Sequence, residues 1–138
     1  MDTLTLPARL DSLETLLSFI LKRAKNAGAP EERLSAIRLG LEEILVNIIS
    51  YAYPKGEGRV EVSFSIQSDG KLSIEVTDWG IPFDPLALAP PDLERDFSER
   101  QIGGLGIYLA RKLAHQIVYE RVHDANRLTV VFDIQTNS

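Results

Sequence analysis

Apolar positions along this chain follow two rhythms, and the change from one to the other marks out its elements. Leu10, Leu13, Leu16, Leu17, Ile20, Leu21 and Ala24 recur at spacings of three and four, the single stripe of an amphipathic helix. Asp11 or Ser12 stands where a side chain can cap it. "NAGAP", Asn26 to Pro30, breaks the pattern with glycine and proline. A second helix is predicted from about Glu31 to Tyr53, with a wider face of Leu34, Ile37, Leu41, Ile44, Leu45, Ile48, Ile49 and Ala52. Pro54 and Gly56 end it.

The period then drops to two. In "RVEVSFSI", Val60, Val62, Phe64 and Ile66 fall on one side; "SDGK" makes a turn; and "LSIEVTD" returns with Leu72, Ile74 and Val76 inward. This alternation predicts a β-hairpin with one buried and one polar face. "TLTLP", Thr3 to Pro7, alternates briefly and stops at proline, as a short edge strand does. From Trp79 to Gln101 the rhythm disappears and four prolines occur; a loop of that length in a compact domain is usually functional. Ile107, Leu109, Ala110, Leu113 and Ala114 then fit a third helix. "IVYERV" and "RLTVVFDI" fit two more strands joined at "HDAN", with Leu128, Val130, Phe132 and Ile134 facing one way.

Strands with one apolar face and three helices to cover it predict a two-layer α/β sandwich. Its sheet is mostly antiparallel, with the helices on one face. No linker or repeat divides the chain, so residues 1–138 are expected to form one domain.

Composition narrows the chemistry. The 138 residues are 44% apolar and 25% charged, with a net charge of −5, an ordinary globular balance that gives no general electrostatic grip on nucleic acid. With no cysteine in the chain, disulfides, thiolate metal sites and cysteine nucleophiles are excluded. The N-terminal stretch has no signal pattern, and no apolar run approaches the ~20 residues that span a bilayer. A soluble, cytoplasmic protein without a membrane partner is the expectation.

Three islands carry candidate chemistry. In "EEILVNIISYAY", Glu43 and Asn47 are four apart and share a helix face. A carboxylate can serve as general base, and an amide oxygen suits Mg²⁺; a solvated polar edge of the helix gives the same pattern. In "DWGIPFDP", Asp78 ends an inward-facing apolar strand and Gly80 permits a sharp turn or a close approach. Asp78 can accept from an exocyclic amine such as adenine's, or can simply form a strand-ending Asx turn. In "QIGGLGIYLARKL", consecutive backbone amides before a helix make an anion site, although a plain tight turn also uses glycines. No Gly-Lys-Ser/Thr follows, and no βαβ unit surrounds the stretch, so neither the Walker A nor the dinucleotide fingerprint applies.

In order and spacing the three islands resemble the GHKL ATPase superfamily, across almost the whole chain. "DWGIPFDP", "GGLGIYLARKL", the opening "LTLPARLDSLETLLSFI" and the closing "NRLTVVF" look most like its anti-sigma regulatory kinase branch. The resemblance implies a Bergerat-type ATP-binding fold with ATP and Mg²⁺ as cofactors. It implies that Glu43 is the catalytic base, Asn47 the Mg²⁺ ligand, and Asp78, with Gly80 beside it, the adenine contact. Gly103, Gly104, Leu105 and Gly106 would form the phosphate-facing turn, Thr129 would stand near the adenine, and residues from about Leu86 to Ile102 would be the ATP lid. The chain departs from the superfamily's pattern at Pro82, where a glycine is common elsewhere although proline is usual in this branch. It departs again at His115, where an acidic residue is frequent. The lid arginine falls on Arg100 or Arg95.

The function so implied is a serine/threonine protein kinase acting on a small STAS-type antagonist, with a sigma factor or another effector as alternative partner, and with homodimerisation common in the branch. A phosphate placed on the antagonist adds charge and disfavours its docking, which would switch partners. A nucleotide-dependent binding module without transfer is the rival from another class. A histidine-kinase catalytic domain ranks lower, because the chain has no dimerisation segment carrying a phosphoacceptor histidine: His115 and His123 lie inside the domain.

Overall fold

A computed structural model describes residues 1–84, 86 and 105–134. Within them the chain runs β1 (Asp2–Pro7), a 3-10 turn (Leu10–Ser12), α1 (Leu13–Asn26), α2 (Glu31–Tyr51), β2 (Arg59–Ile66), β3 (Leu72–Asp78), α3 (Leu105–Leu113), β4 (Gln116–Val122) and β5 (Ala125–Phe132). The five strands form one sheet in the order β1-β2-β3-β5-β4, and every neighbouring pair is antiparallel. The expected α/β sandwich is therefore present, with an antiparallel sheet and with β1 at an edge.

The register shows why the strands alternate as they do. Leu4, Val62, Val76, Leu128 and Tyr119 are successive partners across the sheet, and so are Asp2, Phe64, Ile74, Val130 and Ile117. Paired residues share a face, so these rows line the side that packs in one hydrophobic cluster with Leu16, Leu17 and Ile20 of α1 and Ile37, Leu41 and Leu45 of α2. Leu16, Leu17, Ile20 and Leu45 are each 0% exposed; burying a leucine or isoleucine side chain contributes about 1.5–3 kcal/mol. Ala110 of α3 meets the same layer beside Ile74, Val130 and Phe132. The alternate rows, such as Thr3, Ser63, Glu75, Thr129 and Val118, face the other way.

Several boundaries differ from the sequence reading. The α1 helix starts at Leu13 because Leu10 to Ser12 wind into the tighter 3-10 turn, which leaves Leu10 at 67% exposure rather than in the buried stripe. Ser12 occupies the N-cap position of α1 but makes no capping hydrogen bond through its side chain. The α2 helix ends at Tyr51. Ile66 keeps the parity of Val60, Val62 and Phe64 but lies at the last position of β2 and is 56% exposed. The break between α1 and α2 is made at Gly28, whose φ of 100° is a left-handed conformation that glycine alone adopts freely.

Candidate functional site

One end of the core-facing side is polar. The outermost row runs Leu6, Val60, Asp78, Asn126, Arg121 across the five strands, so an apolar sheet face finishes in a carboxylate, an amide and a guanidinium side by side. Asp78 and Asn126 are both 4% exposed, and buried polar groups need partners. They supply one another: Asn126 Nδ2 donates to Asp78 Oδ1 at 2.9 Å and to the Ile81 carbonyl at 2.8 Å. The Asn126 Oδ1 in turn accepts from the Tyr119 hydroxyl at 2.6 Å, from Arg121 at 3.2 Å and from the Phe83 amide at 3.3 Å. Arg121 also donates to the Gly80 carbonyl at 2.8 Å.

The turn after β3 is set by α2. The Gly80 amide donates to Asp78 Oδ1 at 2.9 Å, so the Asx turn anticipated as one reading of Asp78 does form. Gly80 is not needed for a positive φ; it is needed for room. A Cβ there would run into the Ala52 carbonyl at the C-terminus of α2, to which the Ile81 amide donates at 2.9 Å. Tyr53 pins the same junction: its hydroxyl donates to the Arg59 carbonyl at 2.6 Å and accepts from the Trp79 amide at 2.8 Å. Burial lifts the Tyr53 pKa above its ordinary value and the nearby Asp78 charge adds to the rise, while the Trp79 amide works against it. The Arg59 guanidinium lies 4.1 Å from the centre of the Trp79 ring, which gives that aromatic a cation–π partner.

Asp78 opens into a narrow cleft between α2 and the sheet. Ile44, Ile48, Val76 and Leu128 make its apolar walls, and Asn47, Asp78, Asn126, Tyr119 and Phe83 complete it. About 20 Å³ of it is open to water, room for a single water molecule. Of the residues singled out from the sequence, Asn47 and Asp78 are thus brought together, and Gly80 lies in the adjoining turn. Glu43 is one helical turn from Asn47 on the same face, half-buried, and outside the residues that line the cleft. Leu105 and Gly106 form the first turn of α3. Gly103, Gly104, Arg95, Arg100 and nearly all of the lid from Leu86 to Ile102 lie outside the described residues.

Thr129 is not part of this group. It pairs with Glu75 and Val118 on the side of the sheet opposite Asp78, because the inward parity of β5 runs Asn126, Leu128, Val130, Phe132. Leu128 holds the place in the cleft that Thr129 was expected to fill. The same parity was the missed signal for Asn126: an asparagine at an inward position of a strand has to be hydrogen-bonded there, yet "HDAN" reads as a turn. Only His123 and Asp124 make that turn, with His123 at a φ of 56°.

Among the described residues, no helix is long and apolar enough to cross a membrane.

Residues 6–132 match the family model described as the histidine kinase-like ATPase domain. The chain is 31% identical over 94 residues to the serine/threonine-protein kinase BtrW of Bordetella bronchiseptica, an alignment covering 68% of this chain and 66% of that protein. It is 30% identical over 121 residues to the serine-protein kinase RsbW of Listeria monocytogenes, covering 83% and 76% respectively. In fold it is similar to the RsbU and RsbW domains of a Mycobacterium tuberculosis protein, with a TM-score of 0.64 at 14% identity over 100% of this chain and 34% of that one. The chain therefore spans about two thirds of the Bordetella relative and one third of the mycobacterial chain.

Proposed function

Since the chain belongs to the histidine kinase-like ATPase domain family, in its GHKL type, and has RsbW-type serine kinases among its relatives, we propose that it is an ATP- and Mg²⁺-dependent protein serine/threonine kinase. Its proposed substrate is a STAS-type antagonist in a partner-switching module, with a sigma factor or other effector as second partner and a homodimer as its assembly. The observation that carries the reading is the junction of Asn47 and Asp78 in one apolar-walled cleft.

The residues fit the proposed ligands in kind. Asp78 is a buried acceptor at the end of an apolar slot, suited to a purine amine. The Asn47 amide oxygen is a hard ligand that would hold Mg²⁺. When bound, MgATP supplies the phosphoryl group for transfer. Glu43 would take the proton from the incoming serine or threonine hydroxyl, whose oxygen forms the new bond to phosphorus as the bond to the bridging oxygen breaks and ADP leaves. Gly103, Gly104, Leu105 and Gly106 would give backbone donors to the phosphates at the start of α3.

A second reading is a nucleotide-dependent protein-binding module without transfer. Incubation with radiolabelled ATP, Mg²⁺ and a panel of STAS-domain proteins separates the two. The kinase reading expects label on a serine or threonine of one of them, and a loss of about 10²–10⁴-fold in Glu43→Ala. Nucleotide binding without any labelled protein supports the binding module; a Glu43→Ala variant as active as the parent removes Glu43 as base.

A further inference from the structure

Resting on the reading of the cleft as an adenine-nucleotide site, we propose that Asn126 is a positioning residue for base selection, held in place by Tyr119 and Arg121. An asparagine amide has two donor hydrogens and an acceptor oxygen, and which end is which is decided by its neighbours. Here the Nδ2 end faces two acceptors, Asp78 Oδ1 and the Ile81 carbonyl. The oxygen end faces three donors: the Tyr119 hydroxyl, the Arg121 guanidinium and the Phe83 amide. Turning the amide over would set N–H against N–H at Arg121 and Phe83 and oxygen against oxygen at Asp78 and Ile81. The orientation is thereby fixed.

That orientation determines what Asp78 can do. Two N–H groups, one from Asn126 and one from Gly80, both fall on Oδ1. Oδ1 is thus a committed acceptor, and the carboxylate is fixed in rotation about its terminal bond. Among the described residues no hydrogen bond reaches Oδ2, which can therefore serve as the acceptor for the 6-amino group of adenine. A 6-oxo purine would present a lone pair to it instead. Without Asn126 only the Gly80 amide holds Oδ1, so the carboxylate is less firmly fixed and can meet the base through either oxygen or through a water molecule, which relaxes the choice between amino and oxo purines. Tyr119 and Arg121 act one step further out, by holding the amide.

The test measures affinities for ATP and for inosine triphosphate, which differ at the 6-position, by titration calorimetry of the parent, Asn126→Ala and Tyr119→Phe, with thermal melting alongside. The parent should prefer ATP. Asn126→Ala should lower the ATP-to-inosine ratio by about tenfold or more, and Tyr119→Phe by a smaller factor in the same direction. A structural loss alone would weaken both nucleotides together and leave the ratio in place. A ratio unchanged in the folded variants overturns the proposal while leaving the nucleotide site standing. Should Asn126→Ala fail to fold, Tyr119→Phe decides by the same ratio. A parent that binds neither nucleotide overturns the site and this proposal together.

Discussion

Gly80 lies against the Ala52 carbonyl, and the same oxygen receives the amide of Ile81 at 2.9 Å. The end of α2 and the turn after β3 are therefore one joint, and Asp78, two residues before Gly80, is placed by it. A methyl group in this joint has nowhere to go, because backbone and not a flexible side chain blocks it. Gly80→Ala should cost about 1–3 kcal/mol, the usual scale of overpacking. Urea denaturation checks this; a midpoint equal to that of the parent would show that the joint gives way freely.

Tyr53 ties the same joint from the other side, through the Arg59 carbonyl and the Trp79 amide. Tyr53→Phe leaves two backbone groups without their partner, a cost of about 1–3 kcal/mol. It should also change the response to alkali. Because the folded-state pKa of Tyr53 is raised above 10.0, the folded chain keeps a proton that the unfolded chain releases once the pH passes 10. Stability is full below that point and declines as pH rises through the folded pKa. In Tyr53→Phe this part of the decline is absent, and stability curves between pH 9 and 11 should be flatter than the parent's. Parallel curves would show that Tyr53 does not titrate in the way its surroundings require.

Thr129 faces away from the cleft. Thr129→Val should therefore leave ATP affinity within about twofold of the parent, the range of a surface substitution remote from any ligand. A tenfold loss would mean that the far side of the sheet communicates with the site.

The sequence made the helices, the hairpin and the order of the islands legible, because each rests on local periodicity. Asn47 is readable from its four-residue spacing from Glu43 on α2, and Asp78 as the polar end of an apolar strand. Asn126 and Tyr119 are not: their roles depend on strands that become neighbours only when β5 inserts between β3 and β4, and that order cannot be seen in local pattern. The resemblance places Thr129 near the adenine, but one position along a strand reverses the face, and Thr129 lies between the inward Leu128 and Val130. The sequence shows that a glycine stands at position 80, but the neighbour that requires it, Ala52, is distant in sequence and appears only in the packing.

Whether the polar end of the sheet, at Asp78, is an adenine-nucleotide site is decided by isothermal titration of the parent and of Asp78→Asn with ATP in the presence of Mg²⁺. The parent should bind one ATP per chain saturably, and Asp78→Asn should lose about 10–100-fold, because a donor amide replaces part of a buried acceptor. A parent that binds no ATP, or a folded Asp78→Asn variant that binds it as tightly as the parent, would contradict this assignment.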